Sequence, residues 1–363
     1  IFHTSGVIMK KVIHDMSQRK KIRVGIIGGG WVTEHRHLPV LARHASVEIT
    51  SLIGRDRDRV ESLRKKFSIP HSFVGAAQDV PGGMDTCEAV VIGADPSAHA
   101  SLVRFALEQG KHVLVEKPFT LSAHESEELV ALAKSRDLKL AVVHNFQFSS
   151  SACELEQDIS QGNIGTIRSL EAVQLSNPKR RLPSWYESLP WGLFFDESPH
   201  LLYLLEKFGG PLAFRSAAVH HEEGRETPQL VDAFFLGKGH IPMTLHMNFN
   251  ASVSEWFLII HGERRVGVLD IFRDIYFSLP NDGRHSPQQI LRTSSGAFLG
   301  HLRGVFRSGT QVLRGTYFCG NESVMNIFFR SILEDSPLGS ISAEKGVRVN
   351  RLQSEIISGS SLY

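Results

Sequence analysis

The chain has 363 residues, too many for one ordinary core and enough for two domains that each bury their own. Its 42% hydrophobic and 21% charged residues exclude a disordered or fibrous protein. A net charge of +2 gives no whole-molecule field, so neither a nucleic-acid nor a membrane partner is expected. Cys87, Cys153 and Cys319 stand far apart with no Cys-x-x-Cys pair, which argues against a disulfide framework and for a reducing, cytoplasmic compartment. No apolar run approaches membrane-spanning length. Residues 1–20 read as a disordered extension, with Met16 as a natural start.

From there the chain alternates short apolar runs with amphipathic stretches. Ile22–Ile27, Val47–Ile53, Cys87–Ile92, His112–Val115 and Lys139–Val143 read as strands. Thr33–His44, Asp56–Phe67, Pro96–Gln109 and Ser122–Ser135 read as the helices between them. Pro96 suits a first helical turn, where its missing N–H would be unpaired anyway, and Ser122 suits an N-cap. Alternation of this kind predicts a parallel sheet over 21–146. After about Phe148 strand-like runs follow one another: Thr166–Leu175, Phe214–His220, Leu230–Leu236, His240–Asn250, Trp256–His261 and Val266–Asp270. Only Asp196–Phe208 reads as a helix among them, and Glu322–Leu333 and Ala343–Ile357 close the chain. The second part, 147–363, is therefore expected to be an α+β domain with a large, mostly antiparallel open sheet.

One stretch is lopsided: from Gly283 to Gly320 there are five arginines, Arg284, Arg292, Arg303, Arg307 and Arg314, and no acid. It reads either as a solvated loop and helix face or as a site for substrate phosphates, since arginine offers phosphate a bidentate fork.

Chemistry begins at Gly28-Gly29-Gly30-Trp31-Val32-Thr33, directly after a strand and opening a helix. In Gly-x-Gly-x-x-Gly the first glycine makes the turn and the second lets backbone approach a pyrophosphate, which rests on the helix N-terminus. Gly28 and Gly30 fit, whereas Thr33 is bulkier than the third position wants. An acid after the second strand would bind the ribose hydroxyls and mark NAD. Here stand Gly54-Arg55-Asp56: the glycine leaves room for a 2′-phosphate and Arg55 can pair with it, so NADP is preferred over NAD. Asp56 is close enough to serve as the ribose acid instead.

Val115-Glu116-Lys117-Pro118-Phe119 closes the strand that begins at His112. With His37-Leu38-Pro39, Asp95-Pro96-Ser97-Ala98-His99, Gly110-Lys111-His112-Val113, His144-Asn145-Phe146-Gln147-Phe148 and Asp196-Glu197-Ser198-Pro199-His200, it resembles the glucose–fructose oxidoreductase / inositol dehydrogenase (Gfo/Idh/MocA) family. The resemblance covers Ile22 to about Gly209. Two departures stand out: Gln147 where the family usually has arginine, and Ser198-Pro199 where it has glycine. Both bear on substrate contacts more than on reaction class.

The resemblance implies an α/β Rossmann domain and a nicotinamide-dependent oxidoreductase acting on the carbon-bound hydroxyl or ketone of a sugar, polyol or sugar derivative, nucleotide-linked sugars included. It also implies Lys117 and His200 at the reacting carbon with Asp196 beside them. The chemistry is consistent with this. Removing hydride from an alcohol requires its proton to leave too, a lysine cation can hold the developing alkoxide, and Asp196 and His200 share one helix face. His200 has the intrinsic pKa for proton transfer at neutral pH. Read alone, Lys117 is a solvated loop lysine, Asp196 a helix N-cap and His200 a semi-buried histidine.

Gly28, Gly30, Trp31, Thr33, Arg55, Pro96, His99, Glu116, Lys117 and Asn145 are the expected cofactor contacts, with His144 a weaker candidate. His35 with His37, or His220 with His221, lacks the acid or cysteine cluster a metal needs, so no metal is expected. A homo-oligomer, dimer or tetramer through the second-domain sheet, is expected. Two alternatives stand beside this: a dinucleotide-binding regulator without turnover, against which Lys117, Asp196 and His200 argue, and a lyase or glycosidase that uses the same residues to oxidise its substrate transiently with tightly held NAD.

Overall fold

The computed structural model describes residues 21–362 apart from 81, 223, 285 and 318; the expected extension at 1–20 lies outside the described residues. Six parallel strands form the first sheet: β1 (Ile22–Ile27), β2 (Val47–Gly54), β3 (His71–Val74), β4 (Ala89–Ile92), β5 (His112–Val115) and β6 (Leu140–Val142). They lie in the order β3-β2-β1-β4-β5-β6, a doubly wound sheet whose order reverses between β1 and β4. Strand β3 is the one strand of this sheet that the sequence pattern misses. It is an edge strand, and His71–Val74 has no fully buried side to mark it.

The helix after β1 opens at Trp31, widens into a π-type turn at Thr33–His37 and continues as Leu38–Leu41 (together α1). Then come α2 (Arg57–Phe67), α3 (His99–Glu108) and α4 (Ala123–Ser135), capped by Asp56 and Ser122 on α2 and α4. A short helical turn, Pro96–Ala98, leads into α3.

The second sheet has eight strands, ordered β13-β12-β11-β7-β10-β9-β8-β14. These are β7 (Ile167–Leu175), β8 (Ala213–His220), β9 (Leu230–Leu236), β10 (Pro242–Asn248), β11 (Glu255–Gly262), β12 (Arg265–Asp270), β13 (Ile275–Pro280) and β14 (Ser360–Leu362). Pairing is antiparallel except for β7 with β10 and β8 with β14, as expected of a mostly antiparallel sheet. Helix α5 (Ser150–Ser160) and helix α6 (Leu193–Gly209) pack on its inner face. Alternate residues of β7 and β10 (Leu170 and Ala172, Met243 and Leu245) meet Leu201, Leu202 and Leu205 of α6 there.

Helix α6 carries Pro199 in its interior, where proline removes the N–H that would bond the carbonyl four residues back. That carbonyl, Phe195 O, takes a bond from Gln353 Nε2 at 2.8 Å, and the same amide donates to Ser198 Oγ at 3.0 Å. Thus α9 (Ala343–Gly359), which bears Gln353, makes good the bond that Ser198-Pro199 costs the helix.

The chain then returns. Helix α7 (Pro287–Leu313) lies against β13, and α8 (Asn321–Glu334) buries Phe328 and Phe329 in the core of the first sheet, each contributing about 1.5–3 kcal/mol of hydrophobic burial. The boundary read at residue 146 marks the change from parallel to antiparallel strands. It does not mark the last contribution to the first domain, which a linear reading misses because α8 packs there from nearly 180 residues further on.

Candidate active site

A cleft of about 1110 Å³ opens at the carboxyl ends of β1 and β4, where the strand order reverses. Its floor is the glycine turn. Gly28 has φ +94°, a left-handed conformation that side chains resist, and its N–H bonds Ile53 O at 2.9 Å. A Cβ on Gly28 would lie 2.6 Å from Gly93 O, so backbone meets backbone here and nothing larger fits. Thr33, the bulky third position, is buried, and its room comes from across the sheet: a Cβ on Gly93, just past β4, would collide with Thr33 Oγ1. The missing third glycine has in effect moved from the helix to the facing strand. Because Thr33 points into the sheet it does not line the cleft, and its expected cofactor contact gives way to a packing role.

Gly28, Gly30, Trp31, Arg55, Pro96, Glu116 and Lys117 do line the cleft. Arg55 is exposed at its rim. Asp56 also borders it, but its carboxylate accepts Arg59 N–H at 3.0 Å as the cap of α2. Arg59, in the first turn of α2, donates to Gly29 O and, at 3.0 Å, to Glu34. It is a cleft residue that the sequence reading passed over.

His99 and Asn145 are placed elsewhere. His99 is fully buried, with Nδ1 2.7 Å from Pro118 O and Nε2 3.2 Å from Ala94 O. Wedged between two carbonyls, it props the Glu-Lys-Pro segment from behind, and burial pushes its pKa down. Asn145 donates to Cys319 O at 3.0 Å, tying β6 to the start of α8. Both short polar side chains satisfy backbone carbonyls instead of reaching the cleft. Gln147 does the same, donating to His144 O at 2.8 Å and Ser340 O at 3.3 Å. His35 and His37 do not converge on a metal: His35 bonds Trp31 O at 2.9 Å, and His37 Nε2 bonds Glu116 Oε1 at 2.8 Å.

Two elements from different domains meet at the inner end of the cleft. Lys117 follows β5, and its Nζ donates to Asp196 Oδ1 at 2.6 Å and Asp196 O at 3.0 Å. Asp196 lies in the first turn of α6, three residues after its start at Leu193, so it is not the N-cap. Burial opposes the charge on Lys117, but the Asp196 carboxylate outweighs it and holds the pKa above the usual lysine value. Glu116, whose burial alone would raise it, is held low by the His37 hydrogen bond, and its Oε2 accepts Lys117 N–H at 3.1 Å.

His200 sits one turn along α6 from Asp196, behind the cleft wall. Its ring packs on Phe146 (4.4 Å between centroids) and Trp256 (5.6 Å). Burial first, then the Lys117 charge and His144, drive its pKa well below the ordinary histidine value. The expectation that His200 titrates near neutrality is therefore corrected: it is neutral there. Tyr203 holds the ring: its hydroxyl accepts Phe146 N–H at 3.0 Å and lies 2.8 Å from His200 Nδ1. Tyr203 was absent from the sequence reading, where it is one more apolar position on a helix. His144, stacked on Tyr203 at 4.6 Å, is pushed down to about 3 by burial.

The second domain also covers the cleft. Residues Arg181–Trp185 line it, and the residue before them, Arg180, is paired with the buried Glu197 next to Asp196. Burial raises Glu197, with Arg180 acting against it. A single helix turn thus anchors both Lys117 and the covering loop. The five arginines of 284–314 are not among the cleft residues. Arg307 is engaged by Glu154 and by Asp274 O, which answers the phosphate-site reading with a structural use.

A family model for oxidoreductases with an NAD-binding Rossmann fold, GFO_IDH_MocA, matches residues 22–144. The uncharacterized oxidoreductase YdgJ of Escherichia coli (strain K12) is 28% identical over 247 residues, 67% of this chain and 69% of that protein. A dTDP-3,4-didehydro-2,6-dideoxy-alpha-D-glucose 3-reductase of Actinomadura kijaniata is 29% identical over 212 residues, 56% of this chain and 61% of that enzyme. This alignment therefore leaves more than a third of the reductase unmatched. The structure of KijD10, a 3-ketoreductase from Actinomadura kijaniata in complex with NADP and TDP-benzene, has a TM-score of 0.75 at 21% identity, covering 94% of this chain and 99% of that one. At that identity the likeness is one of fold.

Proposed function

We propose that this chain, which belongs to the Gfo/Idh/MocA family of oxidoreductases, moves hydride between a nicotinamide dinucleotide and the ketone or secondary hydroxyl of a sugar derivative, with nucleotide-linked 3-ketosugars foremost. The observation that carries the reading is the Lys117 ammonium, held on the cleft wall by Asp196 at 2.6 Å. The Actinomadura kijaniata reductase named above supports the substrate class.

The cleft suits a dinucleotide. A turn in which a Cβ on Gly28 would strike Gly93 O is a backbone cradle for pyrophosphate, aided by the helix N-terminus at Trp31. Arg55, with Asp56 committed to capping α2, favours NADP over NAD. When bound, the dinucleotide supplies the hydride.

Lys117 supplies the proton. In reduction the carbonyl oxygen gains charge and needs a proton. Lys117 donates one from Nζ and regains it from solvent, while Asp196 keeps the ammonium aimed and charged. His200, neutral behind that wall, adds no second charge beside the Lys117 ammonium. A charged donor at rest suits protonation of a carbonyl better than alcohol oxidation, which wants a base.

The test is to denature purified protein, identify released small molecules by mass spectrometry, then titrate NADPH and NADH. Consumption of NADPH with a nucleotide-linked 3-ketosugar is the expected result. Saturable binding with no turnover on any ketosugar would favour the regulator, and cofactor returning to its starting state each cycle would favour the lyase or glycosidase. No dinucleotide binding at all would sink all three.

A further inference from the structure

Helix α7 presents its apolar side to solvent. Gly300 packs on Phe277 and Gly304 on Ile275, while Arg307 reaches Glu154, and at 3.6 residues per turn these three lie on one face. On the opposite face stand Leu291, Phe298, Leu302, Val305, Phe306 and Leu313, each between 40% and 88% exposed. From Leu291 to Leu313 that stripe is about 33 Å long. Contiguous exposed apolar surface on this scale marks an interaction site.

Charge identifies the partner. Arg292 and Arg303 run along one edge of the stripe, Arg314 follows the helix end, and all three are exposed, Arg303 with Glu154 of α5 3.5 Å away. From Gly283 to Gly320 there is no acid. A second copy laid antiparallel on this helix would bring arginines together with no carboxylate on either helix to receive them. An anionic surface would receive them all.

We propose that α7 lies flat on an anionic lipid surface, its apolar stripe entering the headgroup–acyl boundary and its arginines meeting lipid phosphates. No helix among the described residues is long and apolar enough to cross a membrane, so the contact is lateral. Whole-chain net charge, near zero, conceals this local surface. The inference is independent of what the cleft binds.

Sedimentation of the full chain with phosphatidylcholine vesicles, with and without phosphatidylglycerol, tests it. Three arginines near an anionic surface should tighten binding roughly 10²-fold, and added salt should reverse the gain. The double substitution Phe298→Asp, Phe306→Asp should abolish vesicle binding while circular dichroism and solution mass stay as in the parent. If that variant misfolds, Arg292→Gln, at an exposed position, should still weaken binding to anionic vesicles alone. Equal binding to both vesicle types, or to neither, overturns the proposal. So does a parent whose mass falls on the double substitution, because the stripe would then be a contact between copies.

Discussion

The two ends of the cleft are built differently. At the glycine turn the wall is backbone, with side chains excluded at Gly28 and Gly93 and exposed arginines at the rim. At the inner end it is buried charge, Lys117 against Asp196, backed by a neutral His200. The first kind of surface binds; the second changes the energy of a reacting oxygen. Within the inner end the contrast repeats. Burial disfavours charge on Lys117 and on His200 alike, yet the Lys117 pKa is shifted up and the His200 pKa down, because only Lys117 has a carboxylate at 2.6 Å. The partner, rather than the burial, sets the direction of the shift.

The largest expected effect separates the two ends. Lys117→Ala should lower kcat by at least ~10²-fold, as for a positioned proton donor, while dinucleotide affinity changes little. Steady-state kinetics beside a direct binding titration would measure both. Equal losses in both would place Lys117 in binding and erase the distinction.

Next in size is the glycine turn. Gly93→Ala forces a methyl onto Thr33 Oγ1, an overpacking that should cost about 1–3 kcal/mol in urea unfolding. Adding Thr33→Ala should restore part of that loss, and the double-mutant cycle reads the coupling. If Gly93→Ala is silent, the facing glycine is not what accommodates Thr33.

The alternation of strand and helix, the glycine turn and the meeting of Lys117 with Asp196 were legible because each is a local pattern, or a resemblance that strings local patterns together. What was not legible depends on distant packing. Nothing near Thr33 announces that Gly93 makes its room, and nothing near His99 shows that Pro118 O claims its Nδ1. Gln353 repairs α6 from more than 150 residues away. The intrinsic pKa of His200 misled because a side-chain constant carries no information about the Phe146 and Trp256 rings that desolvate it. The segment 284–314 was read for its arginines, and its more informative feature, apolar residues facing outward, appears only once the packed face is known.

At the outer end, Arg55→Ala should weaken NADPH by about 10-fold relative to NADH, one charge-assisted phosphate contact, with kcat nearly unchanged. Unchanged selectivity would move the 2′-phosphate assignment to Arg59, the other arginine on that wall.

The smallest effect at neutral pH is the most telling about charge. Asp196→Asn keeps the shape and the 3.0 Å bond from Lys117 Nζ to the backbone carbonyl but removes the carboxylate. Burial, the largest influence on Lys117 and one that lowers its pKa, then loses its main opponent. A proton donor must be protonated to act, so reductase activity falls as pH rises through the Lys117 pKa. In the parent that limb lies above the usual lysine value; in Asp196→Asn it should move to lower pH. Near pH 7 the lysine still holds its proton and the loss should stay under ~10-fold, the cost of a less well aimed donor, and it should grow as the solution becomes alkaline. A pH–rate profile that drops uniformly, its limb unmoved, would mean that Asp196 only orients substrate and that some group other than Lys117 titrates in the reaction.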